Sequence, residues 1–268
     1  MSNKANIFHM ASMARSGETL LLKMLAQHQD IVVVHNLTEF DDESETSAFE
    51  FLKKYSGRTI DLDHSCCDPY GLKSGQIIIL KQGVWKHAYS FSGFILSRNP
   101  FSIYASLKLY DKEHIDYHYI ENFWFNNSRR VYLWMDGVDK NKAALLEGKS
   151  PVEQFVLFYN ARMGQLLETG LPVIRYEDVV RSPRSEVLKL CDILGVKMCE
   201  DMLQSHRFYE EGEIGHGGIE LSSPIDPACN YKYKQNLTEF EFDYISINAK
   251  NVFTKYGYEV EGQNVISK

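Results

Sequence analysis

The sequence predicts an α/β protein with a central, mostly parallel sheet of about five strands flanked by helices. Three observations lead there. Five continuous apolar runs recur along the chain, separated by stretches of helical spacing; such uninterrupted strands are typical of parallel sheets covered on both faces. The first run, residues 5–11, passes through the short polar turn Arg15-Ser16-Gly17 into an amphipathic stretch, and a second run follows within about 30 residues, as in a parallel crossover unit. Arg15, His35, Lys81, Arg98 and Tyr176 each stand at or just after the end of one of these strand-helix junctions, and parallel sheets bind ligands beyond the carboxyl ends of their strands.

Taken in order, residues 5–11 are a buried strand leading into the loop. A helix follows over about 17–27, with Leu20, Leu21, Met24 and Leu25 on its inner face. Residues 30–35, DIVVVH, form the second strand. Residues 36–75 are acidic early and polar throughout, an irregular insertion. Residues 75–81 and 93–98 are the third and fourth strands, and Pro100 suits the first turn of a helix over about 100–112. A helical tract over 117–147 carries Phe123, Trp124, Phe125, Tyr132 and Trp134, read as core. The next helix has Ser150 as N-cap, Pro151 at its first position and Gly170 after its end. Residues 171–178 are the fifth strand, 182–196 another helix, and the tail from Leu237 to Glu259 a last helix. Between them, residues 207–236 hold Gly212, Gly215, Gly217 and Gly218, enough glycine to suggest a lid. There are no repeats: residues 1–268 read as one domain, with acceptor-shaping insertions at 36–75 and 112–150.

The chain has 268 residues, 44% hydrophobic and 24% charged, which argues against disorder, and a formal charge of −7. Such acidity disfavours a dedicated nucleic-acid binder while leaving room for a local basic pocket. No apolar run nears the ~20 residues of a membrane span, and the N-terminal stretch is too short and interrupted for a secretory signal. Cys66, Cys67, Cys191, Cys199 and Cys229 are odd in number and contain no C-x-x-C pair, which reads as reduced thiols in a cytoplasmic setting. A metal site from Cys66, Cys67 and His64 lacks a fourth spaced ligand, and no metal is expected.

The turn after the first strand has the grammar of an anion cradle. The backbone amides of Ser16, Gly17, Glu18 and Thr19 cap a helix start, where the dipole favours a tetrahedral anion. Gly17 permits close backbone approach, Arg15 adds a planar donor fork, and Ser16 and Thr19 add hydroxyls. The plainer reading is an ordinary helix start with Ser16 as N-cap. The usual lysine motif G-x-x-x-x-G-K-[ST] is missing. A second stretch, SRNPFSIYASLK, puts Arg98 at a strand end and Ser106 eight residues on, both within reach of one phosphate.

These segments resemble the sulfotransferases that use 3′-phosphoadenosine 5′-phosphosulfate (PAPS), whose fold is P-loop-NTPase-like. MARSGETLLLKML resembles their 5′-phosphosulfate loop, and SRNPFSIYASLK resembles the 3′-phosphate motif R-[DN]-P-x5-S. VIRYEDVVRSPRSEVLKLCDILGV and the closing FTKYGY resemble two further segments, in family order across residues 6–258. The resemblance implies that Arg15, Ser16, Gly17, Glu18, Thr19 and Leu20 surround the 5′-phosphosulfate and that Arg98 and Ser106 hold the 3′-phosphate. It gives Tyr176 an adenine contact, beside the alternative of a capped helix start. Arg15 and Lys81 would stabilise the sulfuryl group and the leaving phosphate.

The sequence departs from the pattern at two places. Members acting on small molecules carry K-T-H after the third strand; here the letters are KQG, so Lys81 is kept and Gly83 replaces the histidine base. Ungapped counting from Arg15 puts the alternative base position of the protein-tyrosine members on His35, with Glu39 and His87 as other candidates. Glu18 stands where threonine is usual; it is expected near the third helix position, facing solvent and favouring the dipole. Lys232 and Lys234 are candidate 3′-phosphate contacts on the lid, or solvated loop residues. The acceptor is a small molecule, a saccharide or a peptide. Two other readings remain: an ATP- and magnesium-dependent kinase, and a nucleotide-binding protein without turnover.

Overall fold

The computed structural model describes residues 4–34, 59–61, 76–81, 92–113, 148–215 and 219–268. Strands β1 (Lys4–Ser12), β2 (Ile31–Val34), β3 (Thr59–Asp61), β4 (Ile77–Lys81), β5 (Gly93–Ser97) and β6 (Val173–Arg175) make the central sheet. Five of them run parallel in the order β2-β4-β1-β5-β6, and β3 adds to β1 antiparallel. β1 lies in the middle of the sheet, between β4 and β5, and its Met10 and Ala11 are fully buried. One edge of β1 is shared in sequence, Lys4–Asn6 with β3 and His9–Ser12 with β5. Gly93 enables the second pairing, since a Cβ there would lie 2.1 Å from the His9 carbonyl oxygen.

Helices cover both faces, as the uninterrupted strands require. On one face Met10, Phe94 and Leu96 pack against α1 (Glu18–Leu25) and α5 (Pro183–Leu194), through Leu21, Leu22, Leu25, Val187 and Leu190. On the other, Ala11 and Ile95 meet α2 (Pro100–Glu113), α3 (Pro151–Glu168) and α7 (Glu239–Asn248), through Phe101, Tyr104, Phe155, Tyr159 and Ile245. The alternation Phe94, Ile95, Leu96 between two cores is the period-2 signature of a strand with two buried faces. Each fully buried leucine or phenylalanine contributes roughly 1.5–3 kcal/mol through area removed from water.

Each expected parallel strand is present, with shifts at the ends. β6 stops at Arg175 because Tyr176 begins the short helix α4 (Tyr176–Arg181), nucleated by the Arg175–Asp178 ion pair at 2.6 Å. α3 starts as expected, with a capping box between Ser150 and Glu153. The tail is not one helix. α7 ends at Asn248, Ala249 adopts φ −101° and ψ −2°, and α8 (Lys250–Phe253) and a 3₁₀ turn (Thr254–Tyr256) follow. The chain then reverses at Gly257 into a hairpin of β9 (Tyr258–Glu261) and β10 (Asn264–Ser267). The stretch expected as an irregular lid holds local structure: the antiparallel pair β7 (Ile214–Gly215) and β8 (Ile219–Glu220), a 3₁₀ turn (Pro227–Tyr231) and α6 (Tyr233–Asn236). The tract at 117–147 and, apart from β3, the insertion at 36–75 with its Cys66 and Cys67 lie outside the described residues. Among the described residues no helix is long and apolar enough to cross a membrane.

Candidate anion-binding site

The site grows from the end of β1. After Ser12 the backbone leaves the sheet, and Arg15 takes φ 71°, a left-handed conformation that is rare for a residue with a Cβ. Gly17 follows at φ 95° as the N-cap of α1, with no side-chain capping bond. Ser16 is therefore not the cap. Its amide closes a turn onto the Met13 carbonyl at 3.1 Å, leaving the amides of Gly17, Glu18 and Thr19, rather than four, as the donors of the helix start that are open among the described residues. The Ser16 side chain is fully buried, and its hydroxyl has no hydrogen-bond partner among the described residues. A hydroxyl held this way costs about 1–3 kcal/mol unless something occupies it.

Three other expected residues converge on this turn. Arg98, between β5 and α2, donates from Nη1 to the Arg15 carbonyl at 3.0 Å, and its Nε is buried without a partner among the described residues. Arg15 donates from Nε to Ser106 Oγ at 3.0 Å. The Arg98 guanidinium lies 4.4 Å from the centre of the Tyr176 ring, a stacked cation–π contact. Tyr176 also covers Gly17 so closely that a Cβ there would sit 2.1 Å from ring carbon Cδ2. Burial raises the Tyr176 hydroxyl well above the ordinary phenol range, with Arg98 acting against the shift, so the ring is a neutral platform beside Arg98.

The corner that carries Arg98 is braced from below. Asn99 caps α2 by accepting from the Ser102 amide at 2.8 Å. Its own amide and Nδ2 donate to Glu177 Oε1 at 3.0 and 2.6 Å. Glu177 Oε2 accepts from the Tyr258 hydroxyl at 2.8 Å. One buried carboxylate thus joins the Arg98 corner, the helix bearing Tyr176 and the C-terminal Gly-Tyr step. The segment over the site is docked: the Tyr176 hydroxyl and Cys229 thiol are 3.1 Å apart, Ser102 Oγ donates to the Asn230 carbonyl at 3.3 Å, and Lys23 donates to the Leu221 and Ser223 carbonyls at 2.9 and 3.1 Å.

This architecture has solved counterparts. Over 97% of this chain and 97% of its own length, the sulfotransferase domain of an olefin synthase from Synechococcus PCC 7002 superposes with a TM-score of 0.55 at 17% identity. A sulfotransferase domain from the curacin biosynthetic pathway does so over 96% of this chain and 99% of its own, with a TM-score of 0.54 at 17% identity. The chain has the sulfotransferase fold. No protein-family model and no curated relative matches the sequence; at this identity the likeness lies in the sulfotransferase fold.

Within that fold, the expected residues divide into three groups. Arg15, Ser16, Gly17, Arg98, Ser106 and Tyr176 come together. Thr19 and Leu20 continue α1 from the turn, half-buried, with Thr19 against Gly215 of β7. Lys81 ends β4 at the same sheet edge, paired with Met10; its side chain, His35, Glu39, Gly83 and His87 lie outside the described residues. One expectation is corrected. Glu18 is the first residue of α1, not the third, and it is buried, accepting from Ser12 Oγ at 3.0 Å. Packing of α1 onto the sheet turns that position inward. Lys234 donates to Asn264 Oδ1 at 2.6 Å, which draws it to the C-terminal hairpin, and Lys232 is exposed. Among the described residues no cluster of three or more His, Cys, Asp and Glu is placed to hold a metal ion.

Sequence reading missed Glu177, Cys229 and Arg162. Arg162 had a signal: it stands four residues from both Phe158 and Leu166, on the apolar face of its helix. Cys229 had none, because its contact with Tyr176 spans 53 residues of sequence.

Proposed function

We propose that the chain is a sulfotransferase that moves a sulfuryl group from PAPS to a hydroxyl or amine of a small-molecule, saccharide or peptide acceptor. One observation carries the reading: the buried Ser16 hydroxyl and Arg98 Nε, which have no partner among the described residues, flank a turn where Arg15, Arg98 and Ser106 converge. Donors arranged around a helix start suit a polyanion. Arg98 and Ser106 take the 3′-phosphate, the open amides and Ser16 take the 5′-phosphosulfate, and the Tyr176 ring supports the adenine.

Transfer is an in-line displacement. The acceptor oxygen or nitrogen forms a bond to sulfur as the bond from sulfur to the 5′-phosphate oxygen breaks. The acceptor proton passes to a base, for which His35 is the first candidate. Adenosine 3′,5′-bisphosphate (PAP) leaves, its new charge met by Arg15 and Lys81. The free thiols of Cys191, Cys199 and Cys229 suit a reducing, cytoplasmic setting.

Calorimetric titration with PAP, and with ADP and ATP plus magnesium as comparators, tests the reading. Binding of PAP in strong preference to the other two is expected. Preference for ATP with magnesium would replace the sulfotransferase by a kinase.

A further inference from the structure

Behind the anion turn lies a buried charge pair that the proposed chemistry does not use. Arg162 of α3 is 2% exposed and donates from Nε and Nη2 to the Ser12 carbonyl at 3.1 and 2.7 Å. Ser12 is the last residue of β1 before the turn, and its side-chain hydroxyl donates to Glu18. Glu18 is 6% exposed and opens α1 directly after Gly17. The two charges act on each other through Ser12: burial pulls the guanidinium well below its ordinary range, while Tyr256 and Glu18 pull it back. A carboxylate at this place subtracts from the positive potential that a helix start offers an anion. An arginine buried beside it restores that potential.

We propose that Arg162 is a positioning residue of the anion turn, fixing the Ser12 carbonyl where the chain leaves the sheet and neutralising the Glu18 carboxylate so that the turn accepts an anion. The inference rests on the reading of this turn as the phosphosulfate site. Glu18 sets the electrostatic level of the turn, and Arg162 sets both its level and its shape. The pair replaces the neutral hydroxyl that the resemblance places at position 18.

The test uses the full chain, PAP as the probe, and four proteins: wild type, Arg162→Met, Glu18→Gln and the double variant. Affinity is read by calorimetry, and unfolding by thermal denaturation of the same samples. Arg162→Met leaves an uncompensated buried carboxylate and should weaken PAP binding about tenfold or more. Glu18→Gln removes the negative charge at the start of α1 and should tighten binding about threefold, although it loses a charged hydrogen bond and melts lower. The double variant should bind PAP far better than Arg162→Met alone. This opposition between affinity and stability is the decisive readout, because a purely structural role would move both in one direction. If Arg162→Met does not fold, Glu18→Gln against wild type carries the test alone. Affinities that fall together with melting temperature, with no recovery in the double variant, overturn the proposal while leaving the site reading intact. A wild type that ignores PAP overturns the site reading and this proposal with it.

Discussion

Gly17→Ala probes the turn with a single methyl group. Gly17 sits at φ 95°, where a residue with a Cβ is strained by about 1–2 kcal/mol. The new Cβ would lie 2.1 Å from Tyr176 Cδ2 and 2.3 Å from Cε2. An ordinary carbon contact is about 3.5 Å, so the ring must retreat by roughly 1.4 Å. Forced repacking of this kind adds about 1–3 kcal/mol. The total is about 2–5 kcal/mol, or roughly 4–20 °C in melting temperature for a chain this size. Urea denaturation of wild type, Gly17→Ala, Tyr176→Ala and the double variant separates the parts. In the Tyr176→Ala background the ring is gone, and only the backbone share should remain. The cycle should therefore show a coupling of about 1–3 kcal/mol between the positions. Additive effects within about 0.5 kcal/mol would refute the packing of Tyr176 on the turn.

Two further outcomes follow from buried groups near the sheet. Burial, with a smaller push from Arg162, lowers the His9 pKa from 6.5 to about 3. The unfolded chain therefore binds a proton below about 6.5 that the folded one refuses until about 3, so stability is full above that window and falls as pH drops through it. The slope is about 1.4 kcal/mol per pH unit; His9→Leu should flatten the decline of urea midpoints between pH 6.5 and 4.5 by that amount, and an unchanged slope would remove His9 as its source. Glu177→Ala strands the Asn99 and Tyr258 donors and should cost about 3 kcal/mol or more by chemical denaturation; an unaltered midpoint would contradict the brace beneath Arg98.

The sheet was legible because β1, β2, β4 and β5 are dense apolar runs, and a strand buried on both faces leaves that mark whatever its neighbours are. β3 was not, because Thr59–Asp61 is three residues long and is held by the free edge of β1 rather than by any period of its own. The terminal hairpin had a weak signal, with Tyr258, Val260 and Val265 alternating about a Gly262-Gln263 turn, but the helical run before it extends the wrong pattern. At the site, Arg15, Arg98 and Ser106 could be named because each lies at a strand end or one helix face beyond it. Their order of contact could not: Arg98 holds the Arg15 carbonyl and Arg15 holds Ser106, whereas spacing suggested Arg98 and Ser106 as the pair. The inward turn of Glu18 comes from the packing of α1 on the sheet and from the bond it accepts from Ser12, and no local pattern encodes it.

The central claim is that Arg98 and its neighbours recognise a 3′-phosphate. The most direct measurement is the ratio of PAP affinity to adenosine 5′-monophosphate affinity, in wild type and in Arg98→Met. Wild type should prefer PAP by about 100-fold or more, the worth of two charge-assisted hydrogen bonds, and Arg98→Met should bring that preference down most of the way to unity. Equal affinity for the two nucleotides in wild type, or a preference that survives the loss of Arg98, would contradict the account.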